Sequence, residues 1–180
     1  MVSSVKTRAS VSAARLAALV AGVAGVATAG CAHAPRVACS ADRARSHVVV
    51  DTGRHELTLC EAQGTAARTF SVRLGHEGVG KSREGDGKTP LGDYPLGPAV
   101  RSEAYGLFLP IGYPTPAQRR AGLTGSAIGV HGPARGARWA GPLVNLFDTT
   151  DGCVGIATDD EMTVIAEFVR QRGVREIHIE

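Results

Sequence analysis

The chain has 180 residues, 43% of them hydrophobic, and a formal net charge of +3. Residues 1–30 carry three basic and no acidic side chains, so the rest balances at 17 basic against 17 acidic, and no basic face with interleaved aromatics is left to bind nucleic acid. The roughly 150 residues that follow suffice for one domain with a real core, and neither a second domain nor an internal repeat is legible.

Lys6, Arg8 and Arg15 precede an apolar run from Leu16 to Ala29, too short for a bilayer span but suited to a signal-peptide core. The expected organisation is a leader over 1–30, a short segment over 31–46 and a single domain over 47–180. Small residues before Cys31 resemble a lipoprotein cleavage site, which would make Cys31 the acylated first residue of an exported, membrane-anchored envelope protein. Secretion after Ala27-Thr28-Ala29 or Ala32-His33-Ala34, or an uncleaved anchor, are the alternatives.

Val48 and Val50, the turn residues Asp51 to Arg54, and then Leu57 and Leu59 predict a hairpin, with Cys60 turned away from the leucine face. Cys39 and Cys60 flank it, and in an oxidising compartment a bridge between them would close a loop of about 20 residues, stabilising by roughly 3 kcal/mol. Phe70, Val72 and Leu74 alternate with Thr69, Ser71 and Arg73, a third half-buried strand that leads into a glycine-rich loop from Gly75 to about Gly92.

That loop holds Gly75-His-Glu-Gly-Val-Gly-Lys81-Ser82, which fits the phosphate-loop pattern letter for letter. A phosphate loop needs a helix starting at its Lys-Ser end, and the glycines and proline of the following segment oppose one, so no nucleotide is expected to bind. The loop is expected either to edge a substrate groove, with Lys81, Arg83 and Lys88 meeting acidic groups, or to be a solvated surface loop.

Short strands are expected over 107–111 and 127–130, the latter running into His131-Gly132. Trp139 is either a groove-lining residue or a packing anchor. Thr150-Asp151-Gly152-Cys153 follows, and then Thr158-Asp-Asp-Glu161 reads as a capping box opening a helix with Met162, Ile165, Ala166 and Val169 on its apolar face. Ile177 and Ile179 suggest a terminal strand.

His131 and Cys153 pair an imidazole with a thiol in loops fed by apolar runs. The imidazole takes the thiol proton and stays beside the thiolate as imidazolium, so the chemistry indicated is acyl transfer. The amides of Gly152 and Cys153 are the expected oxyanion donors. The other histidines lack the spacing of a metal site, and no cofactor is called for.

His131-Gly132, Thr150-Asp151-Gly152-Cys153 and the upstream Lys88-Thr-Pro-Leu-Gly-Asp-Tyr94 together resemble the L,D-transpeptidase (YkuD-like) catalytic domain family from about His47 to the end. The resemblance implies a mainly β (α+β) sandwich or barrel with one C-terminal helix. It also implies peptidoglycan stem peptides as substrate: Cys153 takes the acyl group of the third stem residue, terminal D-alanine leaves, and a neighbouring amine completes a 3-3 cross-link. Water as acceptor would make a carboxypeptidase, and a non-catalytic wall-binding lipoprotein is the third reading. The Gly132 carbonyl is the implied orienting partner of His131, with Asp151 as a side-chain alternative. Many relatives have His immediately before the Gly-Cys pair and Arg or Asn two places after the Cys. Here those positions are Asp151 and Gly155, and the stretch from His131 to Thr150 is longer than usual by an insertion around Arg135 to Pro142.

Overall fold

The computed structural model describes Met1 and residues 39–180. The expected leader, the acylation site Cys31 and the cleavage positions around it lie outside the described residues. Among the described residues no helix is long and apolar enough to cross a membrane.

Strict alternation builds the first three strands. β1 (His47–Asp51) pairs antiparallel with β2 (Glu56–Cys60), and β2 with β3 (Ala66–Arg73). Val48, Val50, Leu57, Leu59, Phe70 and Val72 all enter one core because residues two apart share a face. Val49 and Cys60, one residue out of phase, form a second small cluster with Cys39 on the other face. There Cys39 and Cys60 are disulfide-bonded with Cα atoms 5.4 Å apart, tying the segment before β1 to the hairpin.

The remaining strands complete a mainly β fold. They are β4 (Gly92–Pro95), β5 (Val100–Ser102), β6 (Gly106–Pro110), β7 (Gly129–His131), β8 (Val154–Ile156) and β9 (Glu176–Ile179). The sheet order is β4-β9-β1-β2-β3-β8-β7-β6-β5, with β1/β9 and β7/β8 parallel and the other pairs antiparallel. The sheet curls far enough that the end of β4 meets the end of β6: Gly97 N–H donates to the Pro110 carbonyl and Gly112 N–H to that of Pro95, both at 2.8 Å. Such curling is how a sheet with one apolar face encloses a core.

Helix α2 (Asp159–Arg172) closes the core with Met162, Ile165 and Val169, while Ala166 stays at the rim. Thr158 caps it by accepting from Glu161 N–H at 3.2 Å, three acids occupy the first turn, and Gly173 ends it in the left-handed conformation. The expected capping box is only half formed, because Glu161 Oε2 is buried without a partner instead of returning a bond. A complete box stands instead on the short helix α1 (Pro116–Arg120), between Thr115 and Gln118.

The glycine-rich loop is organised from within by one carboxylate. Asp86 accepts from Lys81 Nζ at 2.8 Å and from the backbone N–H groups of Ser82, Arg83 and Lys88. The lysine and amides that a phosphate loop would present to phosphate thus hold an internal acid. Burial alone would raise the Asp86 carboxyl pKa, but the amide of Arg83, the ammonium of Lys81 and the amides of Ser82 and Lys88 hold it well below the ordinary 3.8. That direction gives stability present above pH 3.8 and lost progressively as pH falls below it. Both side chains are nearly inaccessible, at 3% and 6% exposure, so Asp86→Asn leaves a buried cation uncompensated. The expected loss is about 3–5 kcal/mol by chemical denaturation, partly recovered when Lys81→Met is added.

Candidate active site

The site lies on the outer face of the β3-β8-β7-β6-β5 half of the sheet. Val130 of β7 and Val154 of β8 point into the core, and the same alternation turns their neighbours His131 and Cys153 to the opposite face. In this parallel pair Val130 is opposite Val154 and His131 opposite Gly155, so Cys153 sits two residues along from the position facing His131. Diagonal neighbours on adjacent strands have Cα atoms about 7–8 Å apart, within side-chain reach.

Register extends this into a row across five strands, Arg73–Gly155–His131–Phe108–Val100. All of the row but Gly155, which Arg73 covers, lines an open groove of about 840 Å³ to which Cys153, Tyr105 and Phe147 also contribute. His131 is buried, with Tyr105 stacked on its ring at 3.8 Å and Phe108 nearly parallel at 6.3 Å. Its Nδ1 donates to the Gly132 carbonyl at 2.7 Å, a bond that sets the tautomer and leaves Nε2 with its lone pair free. The side chain of Asp151, the alternative partner, is 97% exposed, and its Oδ1 lies 3.6 Å from His76 Nδ1.

Cys153 is the free cysteine among the described residues. Burial raises its pKa above the ordinary 9.0, partly offset by the Gly129 N–H, while Asp151 raises it further and Lys81 and Arg73 lower it. Burial also lowers His131 to about 4, the bond to Gly132 opposing and Arg73 reinforcing the shift. Both shifts favour the uncharged thiol and the uncharged imidazole. Charges on both groups are unfavourable in so buried a place.

The turn into Cys153 is tightly built. Thr150 Oγ1 donates to the Cys153 carbonyl at 2.7 Å and accepts from Gly152 N–H at 3.2 Å. Gly152 has φ +122°, and a Cβ there would run into the Lys88 carbonyl, so only glycine fits. Its amide, an expected oxyanion donor, is thus engaged by Thr150. The Cys153 N–H is the one of the expected pair left without a hydrogen bond among the described residues.

Three further expectations are corrected. Of the two readings of the glycine-rich loop, the groove edge is corrected and the surface loop stands: most of its residues are exposed, and it backs the Cys153 turn, with His76 N–H donating to the Thr150 carbonyl and Gly75 N–H to Thr89 Oγ1, both at 2.9 Å. Lys81, spent on Asp86, cannot meet a substrate acid, and Arg83 and Lys88 do not line the groove. Trp139, 87% exposed, neither lines the groove nor anchors packing; the insertion forms 3-10 turns over Arg135–Asn145 whose Leu143 and Val144 line the groove instead. Arg73, Tyr105 and Phe108 had no sequence motif. Their outward phase on their strands was readable for Arg73 alone, and their meeting with His131 depends on strand pairing.

Residues 45–177 match the model of the YkuD family, the L,D-transpeptidase catalytic domain. Among solved structures, the fold is similar to that of the helical cell shape determining protein Pgp2 of Campylobacter jejuni, with TM-score 0.65 and 22% identity over 77% of this chain and 48% of that one. It is also similar to Bd1075 of Bdellovibrio bacteriovorus, with TM-score 0.57 and 23% identity over 79% of this chain and 50% of that one. The chain spans about half the length of each, and at these identities the likeness is one of fold. No curated protein sequence matches the chain.

Proposed function

We propose, from the premise that this chain belongs to the L,D-transpeptidase catalytic domain family, that it is a cysteine acyltransferase acting on peptidoglycan stem peptides and forming 3-3 cross-links. The observation that carries this reading is the pairing of β7 with β8, which sets His131 and Cys153 diagonally on one groove floor with His131 Nδ1 tied to the Gly132 carbonyl.

As Cys153 Sγ attacks the carbonyl carbon of the third stem residue, its proton passes to His131 Nε2 and the carbonyl oxygen becomes an oxyanion, for which the Cys153 N–H is the available donor. Collapse breaks the C–N bond, His131 returns the proton to the departing amine of D-alanine, and a thioester remains. An amine of a second stem peptide then attacks the thioester, giving its proton to His131, which reprotonates the Cys153 thiol as it leaves. Water in place of that amine yields a trimmed tripeptide by the same steps. Removal of the expected leader over 1–30 would leave Cys31 as the acylated first residue, and the reading then includes action at the cell envelope from a lipid anchor.

The test is incubation of the protein with tetrapeptide muropeptides, followed by intact-mass and product analysis. A thioester on Cys153 together with cross-linked dimers is expected. Tripeptides alone would replace transpeptidation by carboxypeptidation. No adduct and no product from a folded protein with a titratable thiol would leave the wall-binding reading.

A further inference from the structure

Across the groove floor, Gly155 has Arg73 on one side and His131 on the other. A Cβ on Gly155 would fall 2.7 Å from Cγ, Nε and Cζ of Arg73, so the guanidinium lies over the bare backbone of β8, two residues from Cys153. Only a glycine there lets this side chain cross the strand. Arg73 is 5% exposed yet lines the same groove as Cys153 and His131.

Its known partners are neutral. Nη1 donates to Asn145 Oδ1 at 3.1 Å and to the Ile156 carbonyl at 3.2 Å, while Nε and Nη2 make no hydrogen bond and no carboxylate pairs with it among the described residues. Every other buried cation of the described fold has an acid; Lys81 has Asp86. A buried guanidinium with spare donors facing a cavity is a site for an anion, which it meets best in a two-bond fork. Burial lowers its pKa, and no acid among the described residues offsets the charge.

We propose that Arg73 is a specificity-determining residue that binds the terminal carboxylate of the acyl donor, holding the leaving D-amino acid beside Cys153. This rests on the function proposed above. The terminal carboxylate is the donor's charged group closest in covalent connectivity to the scissile carbonyl, one residue away or about 3.5 Å along the chain. A carbonyl at Cys153 Sγ therefore carries that carboxylate into reach of the guanidinium. Asn145, which also donates through Nδ2 to the Ser71 carbonyl at 2.7 Å, holds Nη1 and aims the fork.

The experiment separates recognition from chemistry. Binding of a stem tetrapeptide with a free C-terminus, and of its C-terminal amide, is measured by titration calorimetry on Cys153→Ala, on Cys153→Ala/Arg73→Gln and on Cys153→Ala/Arg73→Lys, with thermal melting as the folding control. With Arg73 present the acid binds about tenfold or more tightly than the amide. With Gln the ratio falls towards one, and Lys restores part of it. An acid-to-amide ratio unchanged by Arg73→Gln overturns the proposal, as does a loss of both affinities in equal measure.

Acylation by the same two peptides is followed with Cys153 intact. Peptides that bind through Arg73 but never acylate Cys153 sink the transferase reading alone. Equal acylation by acid and amide, in wild type and Arg73→Gln alike, sinks the recognition role alone. A change confined to the pH profile of Cys153 alkylation would make Arg73 a thiolate stabiliser and overturn it as well.

Discussion

Cys153→Ala is expected to lower acyl transfer by at least about a thousandfold and to abolish the covalent adduct, with little change in thermal stability. The side chain is only partly buried at the groove, so its removal empties little core volume. Residual turnover would come from substrate held in the groove without a covalent intermediate. The measurement is the rate of D-alanine release from a tetrapeptide donor, with intact mass as the second readout. Unchanged release would remove the thiol from the mechanism altogether. Cys153→Ser tests the same point with a hydroxyl of similar shape, and it is expected to be nearly as inactive, because the serine oxygen is far less acidic than a thiol.

His131→Gln is expected to slow acylation by about 10²–10⁴-fold at neutral pH while keeping substrate affinity. In the wild type, His131 is neutral above about pH 4, so acylation should rise through that pH and run flat through neutrality. Because burial raises the Cys153 thiol above its ordinary 9.0, the variant lacks a base at neutral pH and its alkylation should recover only at strongly alkaline pH. A variant whose alkylation profile matched the wild type would show that His131 does not serve the thiol.

The same histidine has a stability signature. Its folded pKa of about 4 lies below the ordinary 6.5, so between those values the unfolded chain binds more protons. Its contribution is fully present above pH 6.5, shrinks as pH falls towards 4, and amounts to roughly 3 kcal/mol. His131→Gln should flatten most of this dependence in urea melts. His47 would sustain what remains: burial lowers its pKa too, and its Nε2 is buried without a partner.

Strands read from period-two alternation lie where the residues placed them, because each needs only its own side chains to choose a face. Val48, Val50, Leu57 and Leu59 settled the first hairpin in that way, and Ile177 and Ile179 the terminal strand. Short strands such as β5 and β8 hold too few residues to show a period and exist through their neighbours. The capping box failed at α2 because a reciprocal bond depends on what packs over Glu161, whereas Thr115 and Gln118 make theirs at a helix the apolar pattern did not announce.

The amino-acid sequence by itself picked out the proposed nucleophile and its base. Cys153 and His131 each stand in a short motif whose glycines, threonine and backbone groups are dictated locally, and the Thr150 hydroxyl that braces the Cys153 turn is three residues away in the chain. Only the tertiary structure decided what surrounds them. Arg73 reaches the groove because β3 pairs with β8 at Gly155, 82 positions further along, and Tyr105 reaches His131 through β6. The direction of both pKa shifts was decided there too, since burial and not residue type disfavours the charged forms. Motifs record interactions between near neighbours, whereas charge, solvation and the shape of a groove depend on strand register, which a single chain of letters does not carry.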